Sequence, residues 1–156
     1  MIKLVRIDDR LVHGQVAFTW TPALGADCLI VANNKAAKDE FLKMTLGLAK
    51  PPNTKLVIKT LQEAIAILND AKYNNLKILL LVNSVQDAHT IAASVPAITS
   101  INFGGIRGKE GSRLISKAIA ITDEDVVLIK GLIEKGIELE VRQVPTDTKQ
   151  LVKDLI

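Results

Sequence analysis

Two runs of sequence constrain the fold more than any other feature. Residues 28–32 (CLIVA) and 78–82 (ILLLV) are apolar at every position. A strand with one wet face alternates polar and apolar side chains. A strand apolar throughout needs cover on both faces, which is the setting of a parallel sheet between helices. Similar short runs recur at 2–7, 55–58, 100–103, 115–121 and 138–144, so seven strands are expected. Between them lie segments with helical spacing: 14–24, 35–48, 61–69, 85–94 and 123–135, with a last helix from Thr146. Thr60 with Glu63 forms a capping box, and Thr122 and Gly136 bracket the helix over 123–135. The alternation predicts an α/β fold: one open, mostly parallel, doubly wound sheet with helices on both faces. No repeat, linker or low-complexity stretch divides residues 1–156, so a single domain is expected.

Composition removes several classes of function. A net charge of +3 is too mild to indicate nucleic acid, and the five aromatics (Phe18, Trp20, Phe41, Tyr73, Phe103) do not cluster as stacking platforms. No apolar run reaches the roughly 18 residues of a membrane span. The N-terminus lacks a signal peptide's apolar block, and a cytoplasmic protein is expected. One cysteine and two histidines make a structural zinc site improbable, and no metal or cofactor is expected. Cys28 reads as core, Trp20 as core or interface rather than catalytic, His89 as a helix-surface or boundary residue, and Lys35 and Lys38 as a solvated face or a contact for an acidic partner.

The chemistry concentrates in residues 6–16, RIDDRLVHGQV. In open α/β sheets, ligands bind beyond the carboxyl ends of the strands, where this loop should lie. His13 stands just before the first helix. The amides of Gly14, Gln15 and Val16 open that helix, lack internal partners and suit an anion. Arg10 adds a donor fork matched to phosphate. A neutral imidazole is a nucleophile without any base, and a helix N-terminus favours the neutral ring. Asp8 or Asp9 can hold the other ring nitrogen and fix the tautomer; Asp9 is assigned that role. The remaining acid should point away from the phosphate, towards Arg6. The same residues also fit a capping cluster with His13 as a spacer.

This motif resembles the active-site motif of the mannose/fructose/sorbose-family IIB component of the bacterial phosphoenolpyruvate-dependent sugar phosphotransferase system. NFGG at 102–105 and GIELEVRQVPTD at 136–147 extend the likeness end to end. The resemblance implies an open α/β fold and a phosphohistidine at His13. It implies phosphate taken from the IIA component and passed to a hexose or amino-hexose held by the membrane IIC and IID components. Arg10 matches the family's phosphate-stabilising arginine. A chain starting at Met1 implies a separate IIA protein, and association with the membrane complex would be peripheral. A homo-oligomer is compatible with the sequence. Phe103 stands where relatives carry a smaller aliphatic residue, either reshaping the pocket wall or simply packing.

The glycine-rich NFGGIRGKEGS is not a P-loop, because Gly108-Lys109 is followed by Glu110, and no Gly-x-Gly-x-x-Gly occurs. Gly104 and Gly105 either let the backbone approach the first loop or make a plain turn. The rival to a phosphoryl carrier is a non-catalytic anion- or nucleotide-binding α/β module whose histidine only contacts ligand.

Overall fold

A computed structural model describes residues 1–156. Its strands are β1 (Ile2–Asp8), β2 (Cys28–Ala32), β3 (Lys55–Lys59), β4 (Ile78–Val82), β5 (Ser100–Gly105), β6 (Arg113–Ser116), β7 (Ile119–Ile121), β8 (Glu138–Val141) and β9 (Gln150–Leu151). The α-helices are α1 (Thr21–Leu24), α2 (Asn34–Ala37), α3 (Glu40–Leu48), α4 (Leu61–Leu68), α5 (Val85–Ser94) and α6 (Asp123–Glu134). Seven strands form one sheet in the order β3-β2-β4-β1-β5-β8-β9, parallel except for the antiparallel β8–β9 pair. β1 lies at its centre, paired with β4 and β5.

The all-apolar strands β2 and β4 are buried at every residue, each face in a different core. Cys28, Ile30, Ile78, Leu80 and Val82 join the larger cluster beneath α4, α5 and α6. Leu29, Val31, Leu79 and Leu81 join a smaller cluster with Val16, Trp20 and Leu46, beneath the first helical segment and α3. The sheet is thus doubly wound, as the apolar runs require.

Several local expectations change. The helix over 35–48 is two helices, because Asp39 leaves the helical conformation and its side chain accepts the Leu42 N–H as a new N-cap. The strand over 115–121 is a hairpin, β6 and β7 paired antiparallel in a separate two-stranded sheet. The helix from Thr146 is instead β9 and a short 3-10 turn, which close the sheet edge against β8. The Thr60–Glu63 capping box is present, and Gly136 ends α6 with φ 82°.

The first helical segment is unusual. Residues 14–15 open it, Val16–Trp20 is a π-helical stretch, and α1 continues it. The Thr21 N–H and hydroxyl both reach the Val16 carbonyl, which holds the wide turn. Such turns recur at functional sites. Here the turn sets Trp20 down onto the sheet, fully buried, beside the end of β1.

Candidate active site

β1 ends at Asp8, and the chain turns at once. The Leu11 N–H donates to the Asp8 carbonyl at 2.9 Å, and the Arg10 N–H to Asp8 Oδ1 at 3.1 Å. Leu11 takes φ 59°, a left-handed conformation that glycine adopts freely and that L-residues other than asparagine and aspartate seldom hold. Its side chain explains why it does so here: Leu11 and Val12 are buried in the smaller core. That anchorage leaves Arg10, Gly14 and Gln15 exposed and His13 half-buried. The first bond of the following helix runs from the Ala17 N–H to the His13 carbonyl, so the Gly14, Gln15 and Val16 amides precede the ladder.

His13 Nε2 lies 2.7 Å from Asp8 Oδ2. An ionised carboxylate only accepts, so Nε2 carries a proton, and in the neutral ring Nδ1 is then the nitrogen with the lone pair. The orienting acid is therefore Asp8, not Asp9. Asp9 faces the opposite way, its Oδ2 accepting from the backbone N–H (2.8 Å) and Nε (3.0 Å) of Arg107. The side-chain alternation of β1 decides this, since successive residues leave the strand on opposite sides. The acid that pairs with Arg6 is also Asp8, rather than one turned away from His13. Arg6 Nη2 and Nε donate to Asp8 Oδ2 at 3.1 and 3.3 Å.

Asp8 is fully buried, which opposes ionisation. The His13 hydrogen bond, the Arg6 charge and the Arg10 amide outweigh that and hold its carboxyl below the usual carboxylate range. Burial draws the Arg6 guanidinium below its ordinary range, with Asp8 and Glu140 opposing. An arginine stays charged at any accessible pH, so this is an ion pair under cover rather than a neutral contact. Arg10 reaches Asp8 Oδ1 only at 3.9 Å and keeps 56% of its side chain exposed, so its fork is open to an incoming anion.

The buried surroundings of Arg6 were not legible as a site. Arg6 Nη1 donates to Asn102 Oδ1 at 2.8 Å and to the Arg142 carbonyl at 3.1 Å. Asn102 Nδ2 donates to Glu140 Oε1 at 3.0 Å. The Arg142 fork closes on Glu140 with two contacts of 3.0 Å, which raise its own pKa. Trp20 covers the chain: the Arg6 and Arg142 guanidinium carbons lie 5.2 and 5.3 Å from its ring centroid, and its Nε1–H donates to the Gln143 carbonyl at 2.8 Å. The stretches NFGG and ELEVRQ therefore surround Arg6. Gly104 has a steric reason, since a Cβ there would stand 2.0 Å from the Arg6 guanidinium carbon. Gly105 is looser: its Cβ would meet Asp8 Oδ1 at 3.5 Å, and its carbonyl accepts the Asp9 N–H. The two glycines end β5 beside the first loop and make a close approach there, not a plain turn.

The other singled-out residues fall outside the site. Phe103 is fully buried in the larger core, on the opposite face from Asn102 and Gly104, and so packs rather than walls a pocket. Cys28 is buried, and burial pushes its thiol up. His89 is half-buried on α5, and Lys35 and Lys38 are exposed.

The fold and the site define an open α/β protein with a half-buried imidazole, tied through one nitrogen to an anchored carboxylate, at the carboxyl end of its central parallel strand. Comparison with known proteins gives the family. The family model "PTS system sorbose subfamily IIB component" matches residues 2–156. A probable phosphotransferase enzyme IIB component of Streptococcus pyogenes serotype M6 is 37% identical, covering 100% of this chain and 99% of the relative. The mannose-specific EIIAB component of Escherichia coli K12 is 35% identical over 100% of this chain, which spans about half of it (48%). The crystal structure of the IIB domain of the Klebsiella pneumoniae sorbose permease superposes with a TM-score of 0.94 at 29% identity, covering 99% of this chain and 95% of that one. The chain belongs to the sorbose-subfamily IIB components of the phosphotransferase system. It is a phosphoryl-transfer component of a sugar uptake system. No helix is long and apolar enough to cross a membrane.

Proposed function

We propose that His13 accepts a phosphoryl group on Nδ1 from the phosphohistidine of a IIA partner. It then delivers the group to a hexose or amino-hexose held by membrane IIC and IID components, with which the protein associates peripherally. The observation that carries this is the 2.7 Å contact between His13 Nε2 and Asp8 Oδ2, which leaves Nδ1 with a free lone pair. As the Nδ1–P bond forms, the P–N bond of the donor breaks, and the donor ring leaves as neutral imidazole keeping its own N–H. His13 keeps Nε2–H, so its ring takes up the positive charge and Asp8 stabilises it. Phosphoryl transfer of this kind depends on positioning and charge stabilisation more than on covalent help from the protein. Arg10 and the Gly14 and Gln15 amides supply donors for the phosphoryl oxygens.

His13→Ala should take no label from phospho-IIA, while His89→Ala labels at the wild-type rate. The wild-type label should be lost in acid and survive base, as a phosphoramidate is. Labelling of the His13 variant would end this reading. So would a wild-type protein that binds phosphate but never carries it covalently, which is the behaviour of a non-catalytic anion-binding module.

A further inference from the structure

The polar chain under Trp20 has a geometry that stability does not explain. Six side chains from three adjacent strands and the following loop are joined end to end: His13, Asp8, Arg6, Asn102, Glu140 and Arg142. Arg6, Asp8 and Asn102 have no exposed surface, and Glu140 is 3% exposed. A buried ion pair is at best near neutral for folding compared with apolar packing of the same volume. What a fully satisfied network supplies instead is a single arrangement, because any rotation of one member strands the others. Here the end of the chain that reaches solvent is the imidazole.

We propose that Asn102 and Arg6, anchored through Glu140 and Arg142 on the far side of β5, are positioning residues for His13. They lock Asp8 Oδ2 in the place where it holds Nε2–H, so that Nδ1 is always the nitrogen presented. The reasoning is geometric. Asp8 Oδ2 accepts from His13 Nε2 and from both Arg6 Nε and Nη2, so the Arg6 fork fixes the oxygen's position. Arg6 has no freedom of its own: Nη1 is held by Asn102 Oδ1 and the Arg142 carbonyl, Trp20 lies over it, and Gly104 lies under it. Asn102 is held in one flip, Oδ1 to Arg6 and Nδ2 to Glu140, since the reverse would set a donor against a donor. Its Nδ2 also donates to the Arg142 carbonyl at 3.3 Å. The same Arg6 charge limits how much Asp8 stabilises a cationic ring. It thereby keeps the phosphorylated imidazole a ready leaving group for the second transfer.

This inference rests on the proposed role of His13, and its first test does not use phosphate. Nitrogen NMR of the unphosphorylated protein should show His13 as a single Nε2–H tautomer, with His89 as internal reference. Asn102→Ala and Gly104→Ala should both give a mixture of His13 tautomers while leaving His89 unchanged; the second places a methyl where the Arg6 guanidinium lies. Gly105→Ala, one residue along the strand, should keep the single tautomer, because its methyl makes an ordinary contact. In transfer from phospho-IIA, Asn102→Ala and Gly104→Ala should lower kcat roughly 10- to 100-fold, the scale of a misplaced reacting group. KM for the donor should not change, since neither residue is exposed at a docking surface. Trp20 is the sole tryptophan, so its emission reports whether each variant is folded. A single tautomer, or a wild-type kcat, in folded Asn102→Ala and Gly104→Ala would overturn the proposal. If these two do not fold, the isosteric Glu140→Gln decides by the same two readouts. If wild-type His13 shows the single tautomer but never carries phosphate, the positioning role stands and the phosphoryl reading fails.

Discussion

In the inner parts of β1, β5 and β8, at residues 5–8, 101–104 and 139–141, both faces of the strand are buried. On one side Val5, Ile7, Ile101, Phe103, Leu139 and Val141 pack into the larger core under α5 and α6. On the other, the alternating residues Arg6, Asp8, Asn102, Gly104 and Glu140 form the polar chain under Trp20. Arg6 and Phe103 are equally inaccessible, at 0% each, so burial does not distinguish them. Energetics does. Apolar burial contributes about 25 cal/mol per Å² of area removed from water, whereas a buried ion pair roughly breaks even. One face stabilises the sheet. The other uses that stability to hold charges where water would otherwise disperse them.

The largest effect that tests this separation is on the apolar face. Phe103→Ala should cost about 3 to 5 kcal/mol of stability, because it leaves a cavity in a closed core. At roughly 2 to 4 °C per kcal/mol for a chain of this size, the melting temperature should fall by roughly 6 to 20 °C. Below that temperature, phosphoryl transfer should continue at close to the wild-type rate. A folded Phe103→Ala protein that transfers slowly would mean that the two faces are mechanically coupled.

Arg10 is the mirror case. Its guanidinium lies at the open end of the polar face, with 56% of the side chain exposed and no contact to Asp8 shorter than 3.9 Å. Losing its charge-assisted donors should raise the transfer barrier by about 2 to 4 kcal/mol, roughly 30- to 1000-fold in rate. Stability should stay within about 0.5 kcal/mol, as for other surface substitutions. Arg10→Lys keeps the charge but not the fork and should fall between. The measurements are a thermal melt and a single-turnover rate from phospho-IIA. If Arg10→Ala melts early and transfers normally, Arg10 belongs with the structural residues.

The apolar face was legible in the sequence and much of the polar face was not, for a physical reason. β2 and β4 declare themselves because only a doubly covered strand is apolar throughout. Thr60 and Glu63, or Thr122 and Gly136, declare helix ends because capping chemistry is local. Asn102 and Glu140 carry no such local signal, since alternation does not reveal whether a polar face meets water or other polar groups, and Arg6 could be placed only beside an acid of its own loop. The one hint was Gly104, with no side chain where a guanidinium had to fit. Asp8 and Asp9 were inseparable by position in a loop; once β1 is known to reach Asp8, its pleat separates them. The hairpin β6–β7 and the two-residue β9 were missed because runs of two to four residues carry too little periodicity to read.

The smallest effect expected is on acid stability, and it opposes the two faces once more. Asp8, held below the usual carboxylate range by its His13 and Arg6 partners, is more acidic folded than unfolded. Its contribution is therefore fully present above the unfolded value of about 3.9 and is lost as pH falls through the lower folded value. Asp87 on α5, above the apolar face, is shifted the other way by burial alone. Its contribution is present below about pH 3.9 and is lost as pH rises through the higher folded value. Neither group should add slope near neutrality. Asp8→Asn should flatten the acid limb of the stability curve below about pH 4, whereas Asp87→Asn should raise stability above that pH relative to wild type. The check is urea unfolding at a series of pH values for the three proteins. The same limb in Asp8→Asn as in wild type would mean that the carboxylate holding His13 is not the acid-sensitive group of the polar face. The charge balance between Arg6 and His13 would then need another anion, with Glu140 the remaining buried carboxylate in the chain.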